Sequence, residues 1–252
     1  RSPMSKIYYI PQDEEQKDLL QLDSIMQEKR ASERLIVLLL GSGGRESAMA
    51  WRIATSPEVE QLYIAPGNGG SEIYGINVPE LSGKDFDAIA DFIASHGVNL
   101  LVSGPEEPLV QGIADYFAER KEDFPHLMVV GPNAQGAQLE GSKDFSKAFM
   151  QRYGIPTASY RTFSANEKSE AVAYLQTLHP PFVLKADGLA AGKGVLIVPT
   201  LEEAAKGFDD LAEGIWGSKG QKIVIEEFLQ GIECSIFVAT DGLNYKVLPA
   251  AK

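Results

Sequence analysis

Apolar residues in this chain come in short runs that end in glycine or proline, with amphipathic segments between them. The first run, RLIVLLL at 34–40, is continuous and leads into GSGG, as expected of a parallel strand that is buried on both faces. Similar runs follow at 61–65, 99–104 and 126–132, and the segments between them have helical spacing. This alternation predicts βαβ units, with helices on both faces of a parallel sheet.

The pattern changes after Pro132. A helix capped by Ser142 and an edge-like strand entered through Pro156 are predicted first, and a second helix follows. Two apolar strands on either side of the glycine-rich stretch ADGLAAGKGV then indicate a hairpin whose loop forms a mobile flap. Beyond a third helix, two or three antiparallel strands are expected, with a turn at Asp241-Gly242. The second half is therefore predicted to be α+β.

The predicted fold class is α/β, with an N-terminal parallel βαβ domain followed by an incomplete α+β domain. The predicted boundaries are 1–34 for a polar helical extension, 35–135 for the Rossmann-like domain and 136–252 for the second domain. A flap-bearing small subdomain is placed at 155–222, and the residues before Met4 are interpreted as an expression remnant.

The overall charge limits the partners of the protein. A net charge of −12 over 252 residues argues against nucleic-acid binding through neutralised phosphates. No apolar run is long enough to span a membrane, and the N-terminus has no secretory signal, which favours a cytoplasmic location. Cys234 is the single cysteine, and the three histidines are scattered, so neither a disulfide framework nor a metal-histidine site is expected.

Three glycine-rich loops follow the predicted parallel strands, GSGGRE at 41–46, PGNGG at 66–70 and GPEEP at 104–108. Ligands of such sheets bind at the carboxyl ends of the strands, so these loops form a candidate pocket. A dinucleotide fingerprint would require glycine at position 46, where this chain has Glu46. A carboxylate at that position would repel a pyrophosphate. The phosphate of a smaller ligand on the amides of Gly43, Gly44 and Arg45 is favoured instead.

The stretch ADGLAAGKGV resembles a phosphate-binding loop, but it fails the Walker A pattern. Gly188 lies one residue too close to Gly192, and Lys193 is followed by Gly194, which has no hydroxyl for Mg²⁺. The glycines do allow backbone amides to approach phosphate oxygens. Lys185 ends the apolar strand before the loop, where a lysine either meets an anion or emerges into solvent.

The run VIEEFLQGIE at 224–233 passes from a predicted buried strand into a short linker. Such a linker can offer a carbonyl and an amide to the edge of an adenine, and the Glu233 carboxylate can accept both ribose hydroxyls. For Glu226 and Glu227 the alternative is a solvated strand end.

The order of these motifs is the most specific feature of the sequence. VLKADGLAAGKGV followed by VIEEFLQGIECS resembles the ATP-grasp fold, in which two subdomains clamp a nucleotide and a flap covers its phosphates. With LLLGSGGRESAMAW, IAPGNGG, GPEEPLVQGIADYF and VVGPNAQGAQLEGSKDFSKAFM, the chain resembles the phosphoribosylamine–glycine ligase family over residues 35–252. The resemblance implies ATP-dependent ligation of glycine to 5-phosphoribosylamine through glycyl phosphate, giving glycinamide ribonucleotide, ADP and phosphate in purine biosynthesis.

The resemblance also implies roles for particular residues. Catalytic roles fall to Lys185 and Lys193. ATP would be bound by Lys143, Lys185, Asp187, Gly188, Gly192, Lys193, Gly194, Glu226, Glu227, Phe228, Leu229 and Glu233. The phosphoribosylamine pocket would be lined by Gly43, Gly44, Arg45, Glu46, Asn68, Gly69 and Glu106.

The chain departs from the family in two respects. Ser47 stands where the family usually has histidine, so a substrate contact of that histidine does not carry over. The family also continues past residue 252, where its Mg²⁺ ligands are expected, so the 252-residue chain alone is expected to be inactive.

Two other interpretations remain open at this point. One is a different ATP-grasp carboxylate–amine ligase, and the other is a nucleotide-binding module without catalysis of its own. The sequence does not indicate the oligomeric state.

Overall fold

The structure is a computed structural model that describes residues 34–189, 194–215 and 219–252. The chain divides into two compact units, of which the first ends at Ala137 and the second is Gln138–Lys252. The predicted helical extension at 1–34 lies outside the described residues except for Arg34. None of the described helices is long and apolar enough to cross a membrane.

The first unit is a parallel five-stranded sheet with strand order β3-β2-β1-β4-β5. Its strands are β1 (Leu35–Gly41), β2 (Val59–Pro66), β3 (Ile76–Asn77), β4 (Leu100–Ser103) and β5 (Met128–Val130). Its helices are α1 (Gly44–Ala54), α2 (Phe86–His96), α3 (Glu107–Val110), α4 (Ile113–Glu119) and α5 (Ala134–Gly141), the last of which runs past Ala137.

The central strand β1 explains why this sheet is covered on both faces. Val37 and Leu39 point into one apolar cluster, whereas Leu38 and Leu40 point into another, and all four are fully buried. Successive side chains of a strand point to opposite faces, so a continuous apolar run needs helices on both sides. The first cluster contains Ala50 of α1, and the second contains residues of α2 and α4. The predicted parallel α/β sheet is confirmed.

The second unit contains a four-stranded antiparallel sheet with order β6-β9-β7-β8 and a separate two-stranded ribbon. Its helices are α6 (Lys143–Arg152), α7 (Lys168–Leu175) and α8 (Leu201–Ala212). Its strands are β6 (Tyr160–Phe163), β7 (Phe182–Ala186), β8 (Val195–Val198), β9 (Ile223–Glu226), β10 (Val238–Thr240) and β11 (Tyr245–Val247).

Several local predictions in the second unit are confirmed. The Ser142 side chain caps α6 by accepting a hydrogen bond from the Phe145 amide at 3.1 Å. β7 and β8 form the predicted hairpin, and the turn at Asp241-Gly242 joins β10 to β11. Strand β6 begins only at Tyr160, four residues after Pro156, so it is shorter than the strand predicted over 155–163.

The core of the first unit gives a direct test of this packing. Ile89 in α2 is fully buried, whereas Ile73 is 76% exposed. We expect Ile89→Ala to lower the free energy of unfolding by about 2–5 kcal/mol, since it leaves a cavity between α2 and the sheet. The matched variant Ile73→Ala should change it by less than about 0.5 kcal/mol. Urea denaturation measures both, and similar losses for the two variants would contradict this packing.

Candidate active site

The carboxyl ends of β1, β2 and β4 lie side by side, so the three predicted loops meet at one edge of the first unit. A cavity of about 320 Å³ opens there. It is lined by residues of all three loops and of the segment after β3, namely Leu40, Gly41, Ser42, Gly43, Glu46, Ala65, Pro66, Ser82, Gly83, Lys84, Pro105, Glu107 and Pro108.

Glu46 is buried at the centre of these loops, and its carboxylate organises the first of them. Its Oε2 accepts a hydrogen bond from the Gly43 amide at 2.6 Å, which satisfies a donor at the N-terminus of α1. A Cβ atom at Gly41 or Gly104 would collide with the Glu46 side chain, so both positions require glycine. Since the Gly43 amide is already bound, an incoming phosphate is left with the amides of Gly44 and Arg45 in the first turn of the helix.

Asn68 joins the second loop to the first. Its Nδ2 donates to the carbonyls of Ser42 and Gly43 at 2.8 and 3.1 Å. Its Oδ1 accepts from the amides of Gly70 and Ser71 and from the Ser47 hydroxyl at 2.9 Å. Asn68 therefore holds the loops in place through every polar atom of its side chain, and Ser47 belongs to this network.

Arg45 and Glu106 connect the first loop to the third. Arg45 donates to the Gly104 carbonyl at 3.1 Å and lies 3.7 Å from a carboxylate oxygen of Glu106. Both side chains remain largely accessible, at 67% and 38% exposure. A guanidinium and a carboxylate are thus presented together at the strand ends, where one can contact an anionic ligand and the other can accept hydroxyl groups.

Lys84 was missed from the sequence, although it lines the cavity and forms an ion pair with Glu107 at 3.0 Å. It lies in an irregular segment after β3, which Val78 and Leu81 anchor in the core. A short edge strand followed by a coil carries no periodic signal that could place Lys84 beside the third loop.

In the second unit, Asp187 occupies the N-terminus of α6. Its Oδ1 accepts hydrogen bonds from the backbone amides of Lys143 and Asp144, and the Ser142 hydroxyl donates to both of its carboxylate oxygens. A carboxylate is stabilised at this end of a helix by the free amides and the helix dipole. Asp187 therefore fixes the start of the flap against α6.

Lys143 lies beside the same segment, with its Nζ donating to the Gly188 carbonyl at 2.9 Å. Burial lowers the pKa of Lys143, the negative charge of Asp187 opposes the shift, and the positive charge of Lys185 adds to it. The two predicted phosphate-binding lysines are therefore close enough to repel each other. That repulsion would be relieved by an anion between them.

Glu226 lies at the end of β9 between two lysines, where it is buried. Its Oε1 pairs with Lys185, and its Oε2 lies 2.6 Å from Nζ of Lys147. Burial pushes the pKa of Glu226 upward, but the two lysines outweigh it and hold that pKa below the ordinary value. The alternative of a solvated strand end is therefore wrong for Glu226.

Lys147 was also missed from the sequence, where it resembles any lysine on a solvated helix. A signal was available, because Lys147 is one turn beyond Lys143 in α6 and therefore lies on the same face of the helix.

The linker after β9 is fixed at its beginning and accessible further on. The Glu227 amide donates to the Ser159 carbonyl at 3.0 Å, and the Ser159 amide donates to the Glu227 carboxylate at 3.0 Å. Phe228 and Leu229 are 38% and 63% exposed, and Glu233 is exposed too. Gly192 and Lys193 of the flap lie outside the described residues, while Gly188 adopts a positive φ of 94°.

No group of three or more histidine, cysteine, aspartate or glutamate side chains in the described part of the chain could hold a metal ion.

Two family models match consecutive stretches of the chain. Residues 35–140 match the phosphoribosylglycinamide synthetase N domain, and residues 141–252 match the phosphoribosylglycinamide synthetase ATP-grasp (A) domain. The chain is 49% identical over 209 residues to a phosphoribosylamine–glycine ligase of Ralstonia nicotianae, covering 82% of this chain and 47% of that protein. The chain spans about half the length of the curated relatives it matches.

Solved structures show the same similarity. A crystal structure of phosphoribosylamine–glycine ligase from Thermotoga maritima matches with a TM-score of 0.67 and 36% identity, over 86% of this chain and 49% of that one. Carboxyaminoimidazole ribonucleotide synthase from Aspergillus clavatus, solved with ATP, matches with a TM-score of 0.63 and 17% identity, over 86% of this chain and 53% of that one. The second match shows the fold alone.

The lowered pKa of Glu226 predicts how acid acts on the second unit. Because the folded state binds the Glu226 proton less tightly than the unfolded state, this carboxylate stabilises the fold fully above pH 4.5, its ordinary pKa. The contribution is lost as the pH falls through the lower, folded pKa. We expect Glu226→Gln to be less stable at neutral pH and to lose less further stability on acidification than the unsubstituted protein.

Thermal unfolding between pH 7 and pH 3 measures this difference. Glu170→Gln is the matched control, because Glu170 is an exposed carboxylate in α7 of the same unit. Equal acid sensitivity of Glu226→Gln and the unsubstituted protein would contradict the ion-paired state of Glu226.

Proposed function

Because the chain belongs to the phosphoribosylglycinamide synthetase family, we propose that the natural protein joins glycine to 5-phosphoribosylamine at the expense of ATP. The products are glycinamide ribonucleotide, ADP and phosphate. The observation that carries the proposal is that each of the two family matches contains a different candidate site. The N-domain match contains the strand-end cavity, and the ATP-grasp match contains the lysine–carboxylate cluster.

The chemistry proceeds in two steps without a protein nucleophile. A carboxylate oxygen of glycine attacks the γ-phosphorus of ATP, which forms glycyl phosphate and releases ADP. The amine nitrogen of phosphoribosylamine then attacks the acyl carbon, loses a proton and expels phosphate. The protein contributes positioning, neutralisation of charge and exclusion of water.

The second unit supplies the nucleotide-binding groups of this proposal. Lys143 and Lys185 neutralise phosphate oxygens, and an anion beside them relieves their mutual repulsion. Glu226 offers its backbone carbonyl to the adenine amino group, Phe228 and Leu229 form the linker, and Glu233 accepts the ribose hydroxyls. Asp187 and Gly188 set the start of the flap, and contacts with ATP are also proposed for Gly192, Lys193 and Gly194.

The first unit supplies the pocket for phosphoribosylamine. The first-turn amides of α1 and the Arg45 guanidinium bind the 5-phosphate, and Glu106 accepts the ribose hydroxyls. Gly43, Glu46 and Asn68 shape the loops through the hydrogen bonds described above, and Gly69 leaves the second loop open to the ligand. Mg²⁺, which phosphoryl transfer commonly uses, would neutralise phosphate oxygens of the bound ATP.

The proposal is tested by ADP release from the natural protein, with glycine and phosphoribosylamine each present or omitted. We expect steady-state release of ADP over many turnovers to require both substrates, because phosphoribosylamine consumes the glycyl phosphate formed in the first step. ADP release that is indifferent to phosphoribosylamine would indicate a different ATP-grasp ligase. Nucleotide binding without ADP release would indicate a binding module without catalysis.

Arg45 provides a test of the pocket assignment. We expect Arg45→Met to raise the KM for phosphoribosylamine at least about tenfold, the usual effect of losing one charged hydrogen bond. The KM for ATP should stay unchanged, because Arg45 belongs to the first unit. Arg52→Met is the matched control, since Arg52 is exposed near the end of the same helix. Steady-state kinetics measure both KM values. An unchanged KM for phosphoribosylamine would show that Arg45 does not bind this substrate.

A further inference from the structure

The Lys147 ammonium group has three acceptors inside the second unit and little access to solvent. Its Nζ lies 2.6 Å from Glu226 Oε2, 2.8 Å from the Thr157 hydroxyl and 3.3 Å from the Ala158 carbonyl. The side chain is 10% exposed. Surrounded by one ion pair and two hydrogen bonds, the Lys147 ammonium group is too enclosed to bind phosphate directly.

The neighbouring Lys185 has the opposite exposure. It shares the Glu226 carboxylate with Lys147, but its own side chain is 28% exposed and so accessible to a ligand. A single carboxylate thus joins an inner lysine to an outer lysine. Any rotation of the Glu226 side chain would move the point at which Lys185 is held.

Lys147 also changes the charge of the cluster. Lys147 brings a positive charge to a group in which Lys143 and Lys185 lie near the carboxylates of Asp187, Glu226 and Glu140. Without Lys147, Glu226 would keep only Lys185 as an ion-pair partner among the described residues. Opposite charges interact strongly at short range in such a poorly solvated site.

A third set of contacts connects Lys147 with the linker. Thr157 and Ala158 both accept hydrogen bonds from Lys147. The residue after them, Ser159, makes two hydrogen bonds with Glu227. Lys147 of α6 therefore holds the side chain of Glu226, and Ser159, in the segment after α6, holds the backbone of Glu227.

We propose that Lys147 is a positioning residue for nucleotide binding, which acts through Glu226 to hold Lys185 and the linker in place and adds a positive charge to the cluster. The inference rests on the proposed binding of ATP by the second unit. Lys147 itself does not touch the nucleotide. It sets the orientation and the effective charge of the groups that do.

The first test is the affinity of the natural protein and its Lys147→Met variant for ATP, measured by calorimetric titration. We expect the Kd to rise about tenfold, within the range of coupling seen between groups of one ion-pair network. Lys168→Met is the matched control, because Lys168 pairs with Asp209 at 2.5 Å on a more exposed surface of the same unit. The control should bind ATP within twofold of the natural protein.

A double-mutant cycle with Glu226→Gln separates positioning from direct contact. If Lys147 acts through Glu226, Lys147→Met should cost less than about twofold in ATP affinity when Glu226 is already glutamine. The same loss in both backgrounds would overturn the inference, and so would a Lys147→Met variant that loses thermal stability but binds ATP normally.

Folding is monitored by circular dichroism. Should Lys147→Met fail to fold, Lys147→Gln replaces it, since glutamine is polar but carries no charge to pair with Glu226. A Lys147→Gln variant with the natural affinity for ATP would also overturn the inference. Failure of the unsubstituted protein to bind ATP is a different result, which would refute the proposed function itself.

Discussion

The second unit depends on the Glu226 carboxylate, which is buried at the end of a central strand and shared between two lysines. A buried carboxylate without partners is costly, and the removal of one partner of a buried ion pair typically costs several kcal/mol. Lys147 comes from α6 and Lys185 from β7, so the same carboxylate connects a helix and two strands. Through Glu226, the enclosed Lys147 thus fixes the position of the more accessible Lys185.

The first unit orders its site by a different physical means. Its strand-end loops are held mainly by hydrogen bonds to backbone groups, from Glu46 and Asn68, and glycines make room for the side chains. Parallel pairing of β1, β2 and β4 brings the loops to one edge before any side chain acts. The charged pair of Arg45 and Glu106 is then left largely accessible, which agrees with the proposed pocket for a phosphorylated sugar.

Both features explain what the sequence could and could not predict. The parallel sheet, the β7–β8 hairpin and the Ser142 cap follow from local patterns, because continuous apolar runs, glycine loops and N-cap residues act within a few positions. Lys185 was expected either to meet an anion or to emerge into solvent at the end of an apolar strand. Its pairing with the Glu226 carboxylate was not predicted, because Glu226 is brought to it by antiparallel pairing of β7 and β9. Lys84 and Lys147 were missed because their ion-pair partners, Glu107 and Glu226, are distant in sequence, and only Lys147 had a local signal, its position one turn beyond Lys143.

The central claim is that the cluster around Glu226 binds the phosphates of ATP, with Lys143 and Lys185 at the ligand and Lys147 behind them. The most direct measurement is the rate at which each lysine of the natural protein reacts with an amine-labelling reagent, read by mass spectrometry with and without ATP. We expect ATP to slow the labelling of Lys143 and Lys185. Lys147 should be labelled slowly in both conditions, and the labelling rates of Lys168 and Lys206 should not change. Labelling of Lys185 at the same rate with saturating ATP would contradict it.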